Sequence, residues 1–292
     1  MGQVKSGVDR GAVQCTLNPA LPVLQRPDGT VQIGWDPRRA IGIRPPAGLS
    51  VSDLAELLRG LQSGVDAESS RSLALAAGLT DVDGWTGLLG ALTTAGLLQT
   101  VPDAGHRPVS VRIHGSGPLS DLLAGALSCS GTRVRTSRYG HVARDSADMV
   151  VLSDFLVADR RLVRDLHRAG VPHLPVRIRD GTGLIGPLVL PGATSCLNCA
   201  DLHRSDRDAS WPILAAQLEG TVGSADRATV LATAAIALNQ VDQVIDAIRG
   251  GGCRDKPPPT LDATLEFDIG SRTTVVRRWS RHPLCDWCDR AS

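Results

Sequence analysis

Cys196-Leu197-Asn198-Cys199 and Cys285-Asp286-Trp287-Cys288 are the residues of this chain best suited to chemistry. Two cysteines three apart can grip one ion from a tight turn, and two such turns complete a tetrahedral four-thiolate site. The competing readings are a redox dithiol and two unrelated knuckles. A redox pair normally stands alone at a helix start, and a second pair separated from the first by 85 residues is harder to explain. The pattern favours one zinc held by Cys196, Cys199, Cys285 and Cys288. Four thiolates leave no open coordination position, so that zinc is structural and ties the middle of a domain to the end of the chain. Cys15, Cys129 and Cys253 stand alone and read as ordinary thiols.

A second pattern lies at Gly115-Ser116-Gly117-Pro118-Leu119-Ser120, directly after the strand-like Val109-Ser110-Val111-Arg112-Ile113. Gly115 and Gly117 take the first two places of a nucleotide-binding fingerprint, where the backbone turns tightly and meets phosphate at a helix N-terminus. Ser120 stands where the third glycine belongs, and Pro118 removes one amide. The ribose-binding acid that should end the next strand is replaced by Thr136-Ser137-Arg138. The loop therefore points to a fold more strongly than to a bound nucleotide.

The elements that carry these patterns fall into two parts. Residues 1–105 read as a small β-then-α module: strands at 21–24 and 30–33 flank the turn Pro27-Asp28-Gly29, and 40–43 adds a third. Three helical segments follow, the first capped by Ser50 or Ser52 before Leu54, Leu57, Leu58 and Leu61. The second runs through Leu73, Leu75 and Ala76, and the third carries Trp85, Leu88, Leu89, Leu92 and Leu97; their apolar stripes read as core. Short strands with three helices describe a winged helix. After a linker at 101–108, residues 106–292 alternate strand and helix: 109–113, 119–127, 132–136, 149–152, 160–169 and 171–178. That is a βαβ pattern, and it implies a doubly wound α/β sheet of Rossmann type. A helix at 211–218, a long one at 225–248 ended by Gly250-Gly251-Gly252, and strands at 264–267 and 273–276 complete the reading.

Composition bounds the function classes. The chain has 292 residues, 42% hydrophobic and 21% charged, with net charge +1, so bulk electrostatics favour neither nucleic acid nor membrane. Residues 1–105 hold eight Lys/Arg against ten Asp/Glu, which speaks against a DNA-binding winged helix. No run of about 18 apolar residues and no signal-peptide core is apparent, which places the protein in the cytoplasm. His167, His173 and His203 show no dyad spacing, and Arg160, Arg161, Arg164 and Arg168 read as a solvated helix face.

Three segments, Ile185-Gly186-Pro187-Leu188, Pro191-Gly192-Ala193-Thr194-Ser195-Cys196 and His282-Pro283-Leu284-Cys285, together with both cysteine pairs, resemble the ThiF-type superfamily over residues 108–292. Its members adenylate the C-termini of ubiquitin-like and sulfur-carrier proteins. The resemblance makes Asp154 the counterpart of the family's magnesium-site aspartate and the zinc structural. The departures carry equal weight. Active members supply an arginine and a lysine to ATP phosphates from a long segment; here only residues 137–148 fill that interval, without a lysine.

The degenerate loop behind a small winged-helix module is similar to the ocin-ThiF-like, cyclodehydratase-associated subfamily. Its front module resembles PqqD-like domains, which bind a precursor's leader peptide by strand addition, while a separate YcaO-type enzyme uses ATP. The expectation is thus a zinc-stabilised ThiF-like pseudoenzyme that recognises a precursor peptide or small carrier protein and presents it to a YcaO-type or other ATP-using enzyme. The alternative is an active adenylyltransferase using ATP and Mg2+ with Asp154. A homodimer through the second domain is what family resemblance suggests.

Overall fold

The computed structural model of the protein describes residues 14–65, 67–101, 108–138, 147–249 and 257–288. Cys253, the stretches 102–107 and 139–146, and the glycines at 250–252 lie outside the described residues. Contacts cluster the chain into two units, Met1–His106 with Asp246–Cys253, and Arg107–Ile245 with Arg254–Ser292.

In the first unit, β2 (Val23–Gln25), β3 (Val31–Ile33) and β4 (Ile41–Ile43) form an antiparallel sheet in that order. The β2–β3 turn forms where Asp28-Gly29 predicts it: Gly29 adopts φ +82° and Asp28 accepts from the Thr30 amide at 3.1 Å. Helix α1 (Val51–Gln62) begins at Ser50, whose hydroxyl accepts from the Asp53 amide while the Asp53 carboxylate accepts from the Ser50 amide. Helices α2 (Ala67–Ala76) and α3 (Val82–Thr94) follow. The core gathers Leu17, Val31, Ile33, Leu54, Leu58 and Trp85. Two details correct the sequence reading. Leu73 and Leu75 of α2 are exposed while Ala74 is buried, because this helix turns a small residue inward. And β1 (Gln14–Leu17) pairs antiparallel with β5 (Leu98–Val101), a pairing of short segments that local pattern cannot reveal.

The second unit is built on a mixed seven-stranded sheet in the order β12-β11-β10-β9-β8-β6-β7. Strands β6 (Ser110–His114), β7 (Arg133–Ser137), β8 (Met149–Asp154) and β9 (His173–Arg179) run parallel, linked by α4 (Pro118–Ser128) and α5 (Arg160–Arg168). Strands β10 (Thr182–Ile185), β11 (Ala263–Asp268) and β12 (Thr273–Arg278) continue it antiparallel, so the doubly wound, Rossmann-like arrangement describes the parallel half only. The switch is made at Asp180-Gly181, both left-handed, with φ +50° and +77°; this Asp-Gly turn signals a β9–β10 hairpin that the sequence reading passed over.

One face of the sheet packs Val111, Ile113, Val151 and Val176 against Leu119 and Leu123 of α4 and Val241 and Ile245 of α8 (Arg227–Ile248). The other packs Val150 and Leu152 against Leu162 and Leu166 of α5 and against Cys196, Cys199 and Cys285. By length and composition alone α8 could cross a membrane, contrary to the sequence expectation, but half of its most apolar window is buried inside the protein.

His173 of β9 is fully buried; its Nδ1 pairs with the Val171 carbonyl at 2.9 Å and its Nε2 has no partner. Burial lowers its pKa from 6.5 to about 4. Between those values the unfolded chain binds the proton that the folded one refuses, so stability rises with pH through this window. The contribution, about 3 kcal/mol, is complete above pH 6.5 and is lost as pH falls to about 4. Urea titrations should therefore show a midpoint that drops across that window, and His173→Leu should flatten the profile. An unchanged slope in the variant would refute this account.

Candidate functional site

The four cysteines meet. Cys196 caps helix α6 (Leu197–Arg207), Cys199 lies in its first turn, and Cys285 and Cys288 arrive from the C-terminal segment. The Sγ–Sγ distances are 3.7 Å (196–199), 3.5 Å (196–285), 3.5 Å (199–288) and 3.8 Å (285–288), with all four sulfurs within 4.8 Å of one another. A tetrahedron with metal–sulfur bonds of about 2.3 Å has edges of about 3.8 Å, so this thiol set fits one tetrahedral ion. Cys196, Cys199 and Cys285 are buried, Cys288 is partly so, and none is in a disulfide. Donation from Cys196 lowers Cys199 to about 4 and raises Cys196 itself, while burial pushes Cys288 up to about 12. Crowded thiols cannot all ionise unless a cation lies between them.

The surroundings hold the sulfurs in place. The Asn198 amide lies 3.5 Å from Cys285 Sγ, and Arg160 Nη2 donates to Asn198 Oδ1 at 3.1 Å. The same guanidinium stands over the Trp287 ring at 5.7 Å, and His167 Nε2 is 3.1 Å from the Trp287 carbonyl. Arg160 and His167, read from sequence as an exposed face and a bland histidine, thus brace the second knuckle. Asn198 and Arg160, 38 residues apart, gave no joint signal in sequence. His282 Nε2 pairs with Asp206 Oδ2 at 2.9 Å beside His203, whose ring centre is 4.7 Å away. These three could hold a metal by proximity. However, His282 Nδ1 accepts the Leu284 amide at 3.1 Å, so Nε2 carries the proton and offers no lone pair.

At the glycine loop, Gly115, Gly117 and Ser120 come together with Asp154. Asp154 ends β8 with φ +70° and is 1% exposed. Its carboxylate accepts the Leu119 and Ser120 amides, each at 3.0 Å, and the Ser120 hydroxyl. The negative group at the first turn of α4 is therefore the protein's own. The glycines follow from the same packing: a Cβ on Gly117 would sit 2.8 Å from Asp154 Oδ1, and one on Gly115 2.2 Å from the Ser153 carbonyl. Ser120 replaces the third glycine with a hydroxyl that reaches this carboxylate. Ser137, in the ribose-acid position, instead bonds Arg112 Nε at 2.8 Å and lies 3.0 Å from His114 Nδ1. Burial, then the Arg112 charge, lowers the His114 pKa. Cys129 is exposed and apart from both sites.

No family model and no curated protein matches the sequence. Solved structures do match. The heterocyclase TruD aligns with TM-score 0.63 and 16% identity over 94% of this chain and 43% of its own. A heterocyclase in complex with substrate and cofactor aligns at 0.65 and 14%, over 94% and 39%. Escherichia coli MccB with ATP aligns at 0.57 and 12%, over 94% and 99%, and so does the microcin C7 biosynthetic enzyme MccB in complex with N-formylated MccA. The chain thus spans less than half of each heterocyclase and nearly all of MccB. At such identities the likeness is one of fold alone.

Cys285→Ser should lower bound metal to well below one ion per chain and destabilise the fold by several kcal/mol, as loss of a structural site does. Elemental analysis of reduced protein with parallel thermal melts checks both. A folded, reduced wild-type protein without metal would overturn the four-thiolate reading.

Proposed function

We propose that this chain is a zinc-stabilised, ThiF-like protein that recognises a precursor peptide or small protein and presents it to a separate ATP-dependent modifying enzyme of the cyclodehydratase type. The observation that carries the reading is the carboxylate of Asp154 on the first-turn donors of α4. That is where a nucleotide phosphate would sit, and like charge excludes it. The fold likeness to heterocyclases and to MccB with N-formylated MccA supports a precursor-peptide partner. Zinc on Cys196, Cys199, Cys285 and Cys288 would supply closure of the fold, with no coordination position left for catalysis.

Peptide recognition fits the first unit, read as a PqqD-like winged helix. Strand β3 uses Gln32 toward β2 and Val31 and Ile33 toward β4, so Gly42, opposite Gln32, directs its amide and carbonyl outward. The outer edge of β2 is covered at Val23, whose carbonyl accepts from Arg59 Nη2 at 3.0 Å. Among the described residues nothing covers β4, and Ile41 and Trp35 are 36% and 81% exposed beside it. A peptide added as a strand would pair there. Gly42→Pro should weaken precursor-peptide binding at least about tenfold, the scale of the lost ladder bond, while Gly42→Ala should not; fluorescence anisotropy checks it. Equal binding by both variants would move the peptide off β4.

A second reading, an ATP-dependent adenylyltransferase acting on a carrier's C-terminus, is favoured by the alignment with ATP-bound MccB over 99% of that chain. In it Asp154 would have to leave α4 to hold Mg2+. Pyrophosphate exchange separates the two. The purified protein should show none with its peptide; robust exchange that disappears in Asp154→Ala would establish the second reading.

A further inference from the structure

Arg177 lies on β9, opposite Asp154 in the β8–β9 register. The left-handed backbone of Asp154 and its bonds to α4 direct the only carboxylate of that pair away. Among the described residues no hydrogen bond or ion pair reaches the Arg177 guanidinium, although part of its surface stays accessible. Burial, and after it the charge of Arg204, lowers its pKa to about 10. The Asp201 carboxylate offsets part of that loss without bonding Arg177, and a cation partly withdrawn from water with no bonded partner gains when a ligand anion meets it.

Arg204 and Asp201 of α6 are its charged neighbours, and both belong to an ordered cluster. Arg204 of α6 gives Nη1 to Asp201 at 2.8 Å and lies 5.2 Å over Trp211 and 4.9 Å over Trp279. Trp211 donates to Asp201 and Trp279 to Thr264, so both indoles are fixed in orientation. Trp211 opens α7 (Trp211–Leu218), a helix of almost wholly apolar sequence that buries none of its residues; Ile213 is 68% and Leu214 42% exposed. Charge and exposed apolar surface therefore adjoin where α7 begins.

We propose that Arg177 and Arg204 form an oxyanion-binding crevice that takes a carboxylate of a bound peptide whose neighbouring apolar side chains lie on α7. This rests on the peptide-recognition reading above but uses a different surface from β4.

The test uses the full chain and two short fluorescein-labelled peptides, one rich in glutamate and leucine, the other with every glutamate replaced by glutamine. The acidic peptide should bind at least about tenfold more tightly, the scale of one charge-assisted bonded pair. Arg177→Gln should erase that preference, Arg177→Lys should retain part of it, and Ile213→Glu should weaken the glutamine peptide too. Thermal melts establish that each variant is folded; should Arg177→Gln not fold, Arg204→Gln must show the same loss. Equal affinity of the wild type for both peptides, or a preference untouched in folded Arg177→Gln, overturns the proposal. So does Arg177-dependent binding of inorganic phosphate with no glutamate preference, which would make it a site for free anions. Gly42→Pro reads the β4 edge with the precursor peptide, so either reading can fail while the other stands.

Discussion

A carboxylate with almost no access to water has to find its donors inside the protein, and Asp154 finds them in the first turn of α4. Much of the second unit follows from that pairing. Gly115 and Gly117 are required because side chains there would collide with Ser153 and Asp154. Ser120 replaces a glycine with a third donor. The positive end of α4 is neutralised from within. Arg177, the register partner, makes no bond to that carboxylate. One buried carboxylate thus occupies the first-turn donors of α4 and turns away from the strand beside it.

The four-thiol centre does different work. It belongs to the apolar cluster between the sheet and α5, so the ion it fits would be part of the core and not the floor of a cleft. Its bracing comes mainly from α5, through Arg160 to Asn198 and His167 to the Trp287 carbonyl. An outer shell of this kind orients ligands and keeps the geometry stiff. Such an arrangement suits a structural centre.

Much of the fold was legible locally. Strand β8 is apolar from Met149 to Leu152 because both of its faces are covered, and α7 begins and ends where Trp211 to Leu218 predicts. The Asp28-Gly29 turn and the Ser50 cap form as their side chains dictate. What escaped was non-local or lay outside the periodic patterns. β1 and β5 become a pair only when the chain folds back over the whole first unit. Helix α6 escaped because its dense charge carries no apolar stripe, yet Arg204 lies against two indoles. The antiparallel half of the sheet hinged on the Asp180-Gly181 turn, a signal present in the residues and passed over.

For the sites the division is sharper. Residue type and spacing alone singled out Cys196, Cys199, Cys285 and Cys288 as one candidate metal set, because thiolate chemistry with close pairing leaves few other uses. They also showed a phosphate-type loop with its third glycine missing. Only the tertiary structure decided what fills that loop. The partner of Ser120 lies 34 residues away, and the left-handed turn at Asp154 decides whether its carboxylate faces α4 or Arg177. Register and backbone twist set that choice, and neither is written in the local order of residues.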